Sequence, residues 1–419
     1  MPFLKTRSDF FKNIVTLVTG SSIAQLISVG LSPLFSRMYS PHEFGLLATF
    51  MSVLSALSVI ACLRYEFAII PSRDDREAES LLALCFRIAI YSAVFTLIGV
   101  FIFNMCGHAA MDLKWWLWFL PVMVLMNGFY QSLISWGNRY KSYKIISNYR
   151  IVSAVFTNLI ILIAGFAGFI SFGLLAGYVI GGFIALIFLY RSIQRKGNAF
   201  QVSQPPEKLK HVALKNSIFP KVNLWQAVAE MLLINGVIYL LTAFFTPAIV
   251  GLYGLTMRTL QAPFNLIGYA IGQVFYQQAS EDYHAGKNIQ HLVKKSMVRA
   301  GLISLPIVIV LIATGPSLFA FVFGEQWRQS GVFAQILAPW FLLDFIKTPL
   351  SQIPVLLGKQ KQWFALSIVG NILMIAAMVY GGIYLGTVMG TIVCFSVVES
   401  AYLLFVLLWI VRISAAPRS

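Results

Sequence analysis

Apolar residues in this chain come in long runs separated by short polar breaks, and that arrangement leaves few folds open. A helix needs about 20 mostly apolar residues to cross the hydrocarbon core of a bilayer. Runs of that length fall near 11–36, 45–70, 80–105, 115–137, 145–167 and 170–191. A second set follows near 218–245, 250–279, 294–315, 329–357, 363–381 and 384–411. Gly165, Gly168, Gly173 and Gly177 leave only a short turn between the fifth and sixth runs. In lipid every backbone N–H and C=O must be satisfied internally, and continuous apolar runs do this as helices. The expectation is an all-α polytopic membrane protein with about 12 transmembrane helices. Composition agrees: 11% of residues are charged, against about 25% in a soluble domain. So few charges cannot clothe 419 residues in water, which excludes a water-soluble enzyme.

The formal charge of +16 invites a nucleic-acid reading, but the basic residues sit in small clusters between the runs, with no recognition motif beside them. Their placement instead reports orientation, because Lys and Arg resist translocation. With the N-terminus cytoplasmic, only Arg37, Lys114 and Arg328 of the 31 basic residues fall in outer segments. Arg64, Arg87, Arg258 and Lys347 fall within spans or close to their ends, and all the others lie on the cytoplasmic side. Both termini are therefore expected in the cytoplasm, with the first run retained as a span. Cys62, Cys85, Cys106 and Cys394 stand singly and far apart in sequence, with no CxxC pair. The five histidines have no metal-ligand spacing, so no metal site is expected.

The longest polar stretch, 192–217, divides the chain into two sets of six spans. This gives an N-terminal bundle over 1–191, a cytoplasmic linker over 192–217 and a C-terminal bundle over 218–419. The halves echo each other. Tyr39-Ser40-Pro41 with Gly45-Leu46 follows the first span, and Phe245-Thr246-Pro247 with Gly251-Leu252 follows the seventh, at an offset of 206. Gly137-Asn138-Arg139-Tyr140-Lys141 after the fourth span has a weaker counterpart in Gly358-Lys359-Gln360-Lys361-Gln362 after the tenth. An even number of spans per half implies two like-oriented six-helix bundles related by a pseudo-two-fold along the membrane normal, the plan of a transporter.

The run Arg37-x-Tyr39-Ser40-Pro41-x-Glu43-Phe44-Gly45-Leu46 resembles the polysaccharide (O-antigen type) flippase family. So do Gly251-Leu252-Tyr253-Gly254-Leu255-x-Met257-Arg258 and Gln261-Ala262-Pro263. That family belongs to the multidrug/oligosaccharidyl-lipid/polysaccharide exporter superfamily. The resemblance implies alternating access and an undecaprenyl-diphosphate-linked oligosaccharide as substrate, turned from the inner to the outer leaflet of a bacterial cytoplasmic membrane. Partners implied alongside membrane lipids are a polysaccharide polymerase and a chain-length regulator, with no nucleic acid.

Such cargo needs a polar lumen, and intramembrane charges by default face an interior or a water-filled path. Arg258, Gln261, Asn265, Tyr269, Gly272 and Tyr276 recur at helical spacing and share one face of the eighth span. Arg258, Gln261, Asn265 and Tyr269 are candidates for the substrate cavity, with Arg64, Gln25 and Lys347; an inter-helix seam is the plainer reading of the stripe. Arg64 and Glu66, two apart, would not face each other on a helix. Arg87 is expected to snorkel toward the cytoplasm. Asp344 and Lys347, three apart, suit a mutual salt bridge. Glu230, with Gln226 one turn before it, is a lone carboxylate that desolvation would tune toward proton or Na⁺ binding. Asp344 and Glu66 are further ion-coupling candidates, and Glu399 repeats the pattern more weakly. Trp115, Trp116 and Trp118 read as an interfacial belt, and Pro41 and Gly45 as shaping a turn.

No catalytic residue and no cofactor is expected, and the chain has no P-loop for ATP. An ion gradient, the membrane potential or the substrate's own gradient is left to drive transport. A multidrug cation exporter of the same superfamily, or a membrane polymerase or glycosyltransferase using the same lipid carrier, would be the alternatives. The first needs an acidic lumen, and the second a large outer loop with clustered carboxylates that this chain lacks.

Overall fold

The computed structural model describes residues 2–106, 111–196, 200 and 204–415; the side chains of 2–15, 111, 112, 114, 262–271, 273 and 274 lie outside the described set. Among the described residues the elements are all helical: α1 (Pro2–Gly30), α2 (Pro41–Ile60), α3 (Asp75–Met105), α4 (Leu120–Arg139), α5 (Tyr143–Phe166) and α6 (Ile170–Arg195). The short α7 (Pro206–Lys215) precedes α8 (Leu224–Phe244), α9 (Pro247–His284), α10 (Gln290–Phe323), α11 (Arg328–Lys347), α12 (Gln360–Tyr380) and α13 (Val388–Ile413). Eleven segments among the described residues are long and apolar enough to cross a membrane. At the place of the eighth expected span, α9 runs unbroken for 38 residues. The protein is an all-α polytopic membrane protein, as its hydrophobic runs require.

Two compact units are distinguished: Met1–Tyr39 with Leu46–Asn235, and Ser40–Gly45 with Gly236–Ser419. The division falls inside α8, and the first residues of α2 group with the second unit. In the first unit α5 packs along α6, and α3 along α4. Gly168, at φ +80°, makes the turn between α5 and α6; a residue with a Cβ would be strained there.

The second span is shorter than the apolar run suggests. The run covers 45–70, yet α2 stops at Ile60. Leu63 and Arg64 adopt left-handed backbone at φ +48° and +66°, a conformation that costs non-glycine residues energy. A single 3₁₀ turn, Tyr65–Ala68, follows. Arg139 at the end of α4 pins this irregular connection: its guanidinium donates to the carbonyls of Ile69, Ile70 and Ser72 and to Asp75 at 3.0 Å. Carbonyls left over by the broken helix are thereby satisfied.

The polar stretch between the halves is held against the first unit. Leu209 and Val212 of α7 are buried, and Phe200 packs edge-on against Phe86 and Trp136. The Arg87 side chain donates to the Gln204 carbonyl at 2.7 Å, so it is fixed on the linker rather than reaching freely for the interface. Lys215 pairs with Glu77 at 2.7 Å, and Tyr65 donates to the Ala213 carbonyl at 3.1 Å.

Packing adds one contact that the sequence does not show and corrects one expectation. Cys62 and Cys85, distant in sequence, are neighbours in the core, where the Cys62 thiol donates to the Gly128 carbonyl at 3.3 Å and lies beside the Cys85 thiol. Both remain free thiols. Trp116 is not an interfacial anchor: it is buried between Phe50 and Phe172, whereas Trp115 is exposed.

Candidate functional site

A cavity of about 570 Å³ opens in the first unit between α2, α4 and the connection after α2. From α2 come Met51, Leu54, Ser55, Ser58 and Val59; from the connection come Arg64, Glu66, Phe67 and Ile70; from α4 come Asn127, Tyr130, Gln131, Ile134, Ser135 and Asn138. The lining follows from helix periodicity. Asn127, Gln131, Ile134 and Asn138 recur at steps of four, three and four and so share one face of α4, and Ser55 and Ser58 share a face of α2.

The charged pair at one end overturns the expectation that Arg64 and Glu66 cannot meet. That expectation holds for an α-helix, where residues two apart diverge. Here the left-handed backbone at Arg64 turns its side chain back, and its Nη1 lies 3.6 Å from Glu66 Oε1. The guanidinium also sits over the Phe67 ring, 5.3 Å from its centroid, a cation–π contact. Glu66 is 3% exposed. Burial pushes its carboxyl above the ordinary value, opposed by its own backbone hydrogen bond and by Arg64. One carboxylate oxygen faces Arg64. The other, Oε2, is buried with no hydrogen-bond partner, and so is the Ser58 hydroxyl. Buried unpaired polar atoms are rare and call for an explanation.

Three other lining groups have partners of their own. Gln131 donates to the Ser58 carbonyl at 3.3 Å, and Asn235 at the middle of α8 donates to the Ser55 hydroxyl at 3.4 Å. Tyr130 stacks on Tyr149 of α5 with centroids 4.9 Å apart. Beside it, Arg150 donates to Ser21 of α1, on the helix that also carries the half-buried Gln25.

The other candidates lie elsewhere. In the second unit, Arg258 is half-buried and Gln261 exposed on α9, while Leu252, Tyr253, Leu255 and Leu260 turn into that unit's own core. The side chains of Asn265 and Tyr269 lie outside the described residues. Lys347 and Asp344 pair with each other at 2.7 Å, the salt bridge their spacing allows. Glu399 on α13, 9% exposed, feels the charges of both. Glu230 and Gln226 are exposed on α8. Among the described residues the buried acids are Glu399 and Glu66, and sequence spacing ranks Glu230 above Glu399 because it cannot tell an exposed carboxylate from a buried one. No group of three or more potential metal ligands occurs among the described residues.

Residues 34–331 match the family described as "Polysaccharide biosynthesis protein", well over half of the chain. The chain belongs to this polysaccharide biosynthesis family. No curated protein matches it in sequence. Solved structures share its fold at low identity. The lipid II flippase MurJ in an inward closed conformation is 13% identical with a TM-score of 0.66, covering 96% of this chain and 87% of that one. An inward-facing multidrug resistance MATE family transporter is 14% identical with a TM-score of 0.54, covering 96% and 94%. A mutant of the Vibrio cholerae MATE transporter VcmN is 13% identical with a TM-score of 0.55, covering 97% of each chain. This family member therefore has the multi-pass fold of transporters and flippases.

Proposed function

We propose that this protein is a flippase that moves an undecaprenyl-diphosphate-linked oligosaccharide repeat unit from the cytoplasmic to the outer leaflet of a bacterial inner membrane. It works by alternating access and serves cell-surface polysaccharide synthesis (O-antigen, capsule, exopolysaccharide or common antigen). The observation that carries the reading is a hydroxyl-, amide- and charge-lined cavity inside a membrane unit of a chain in a polysaccharide biosynthesis family. Such polar lining costs a bilayer protein insertion free energy, which a polar cargo explains. The fold shared with a lipid II flippase supports a lipid-linked substrate. A multidrug cation exporter fits less well, because the acid that lines the cavity is offset by Arg64. The reading makes the protein a transporter that forms and breaks no bond, with both termini cytoplasmic, near a polymerase and a chain-length regulator. Glu230 and Asp344 are the candidates for coupling to H⁺ or Na⁺, and Glu66 for coupling to H⁺.

Deletion in the native host tests this directly. Lipid-linked repeat units should accumulate on the cytoplasmic leaflet while surface polysaccharide is lost. Intact surface polysaccharide with no accumulation overturns the proposal.

A further inference from the structure

The cavity of the first unit holds an asymmetry that bears on which part of the cargo it takes; the inference rests on the flippase reading above. Its positive charge is already engaged: Arg64 faces Glu66 Oε1 at 3.6 Å and covers the Phe67 ring. What is left unpaired is the buried Glu66 Oε2, which can only accept while ionised, and the buried Ser58 hydroxyl, which can both accept and donate. A diphosphate brings only more acceptors and negative charge, and it would meet a carboxylate oxygen in a poorly solvated site. A sodium ion would suit the two oxygens but would sit beside a guanidinium. An uncharged sugar ring brings hydroxyls that can donate to Glu66 and both donate to and accept from Ser58, with an apolar face for Tyr130, Met51, Leu54 and Ile134. Asn127 and Gln131 carry amides that donate and accept at one site, as a ring hydroxyl requires. The volume of about 570 Å³ falls in the small-molecule range of about 300–1,000 Å³.

We propose that the cavity between α2 and α4 is a saccharide subsite, in which Glu66 and Ser58 accept hydrogen bonds from the hydroxyls of an uncharged sugar of the lipid-linked glycan. The diphosphate is held elsewhere. Glu66 is the specificity-determining acceptor, and Arg64 is the positioning residue that keeps one of its oxygens turned aside.

The test uses the full-length protein in lipid nanodiscs and saturation-transfer NMR with neutral methyl hexosides and methyl N-acetylhexosaminides as probes. At least one glycoside binds, and neither inorganic pyrophosphate nor sodium chloride at equal concentration displaces it. Ser58→Val and Glu66→Gln each weaken it at least tenfold, with unchanged gel-filtration profile and melting temperature within a few degrees. If Glu66→Gln fails to fold, Gln131→Leu serves as the second variant, with the same loss expected. The proposal is overturned if no glycoside binds, if the variants bind as tightly as the native protein, or if pyrophosphate or sodium displaces the sugar. Unchanged binding in the variants together with accumulation in the deletion strain removes the subsite and leaves the flippase. Weakened binding without accumulation does the reverse.

Discussion

At the scale of single residues, the Arg64–Glu66 pair is the most informative feature of the molecule. Glu66 is buried and Arg64 half-buried, so removing Arg64 strands the Glu66 charge at a cost below the about 3–5 kcal/mol of a fully buried pair. Arg64→Ala should therefore lower the melting temperature, and Arg64→Ala with Glu66→Gln should recover most of the loss. The deficit depends on pH with a definite sign. Burial raises the Glu66 carboxyl above its ordinary value, so the folded protein holds that proton more tightly than the unfolded chain does. The stability this contributes is full below the unfolded value of about 4.3 and is lost as pH rises through the folded one. Melting of Arg64→Ala should thus approach the native protein in mildly acidic buffer and fall away in alkaline buffer. Two other residues have roles of their own to test. Arg258→Ala should impair translocation and leave membrane insertion intact, read by transport in proteoliposomes against the amount inserted. Glu230→Gln should change the dependence of transport on pH or Na⁺ if that carboxylate couples; an unaltered dependence removes it from the mechanism.

At the scale of elements, the repeated turn is where sequence and packing meet most directly. Pro41 and Pro247 each open a helix, the position where a missing N–H costs least. Ser40 and Glu43 cap the first of these turns, with the Ser40 N–H donating to Glu43 Oε2 at 2.9 Å, in the manner of a capping box. Within the second unit the two turns meet reciprocally: a Cβ on Gly45 would strike the Pro247 carbonyl, and one on Gly251 would strike the Pro41 carbonyl. The offset of 206 seen along the chain recurs in this contact, since each glycine faces the partner repeat's proline. Phe44 adds an edge contact to Trp327, with centroids 5.0 Å apart. Because the obstacle is backbone, it cannot swing aside. Gly45→Val and Gly251→Val should each cost at least the about 1–3 kcal/mol typical of overpacking, seen as loss of monodisperse protein on gel filtration. Gly30→Ala, with nothing within 4 Å of its added methyl, should behave as the native protein.

At the scale of the whole molecule, the distribution of basic residues predicts sidedness. Single cysteines placed at Lys208 and Lys361 in a cysteine-free background should react with an impermeant maleimide only from the cytoplasmic face. One placed at Lys114 should react only from the outer face. Opposite labelling would reverse the topology. The docking of α7, Phe200 and Gln204 within the first unit gives the polar stretch between the two halves of the sequence a fixed seat.

What the amino-acid sequence determined by itself is the membrane-spanning, all-helical architecture and its internal repeat. Both follow from local rules: apolar length sets spans, and chain symmetry leaves recurring motifs. The Asp344–Lys347 bridge was legible for the same reason, since a three-residue step on a regular helix fixes proximity. Only the tertiary structure decided the rest. The end of α2 at Ile60 depends on two residues in left-handed backbone, which no apolar count registers, and that kink brings Arg64 to Glu66. Cys62 met Cys85, Trp116 was buried and Glu230 left exposed because a helix's rotation about its axis is set by its neighbours. The cavity with its unpaired Glu66 oxygen belongs to the same class. It is assembled from α2, α4 and the break between α2 and α3, and free volume is a property of how helices pack rather than of any one of them.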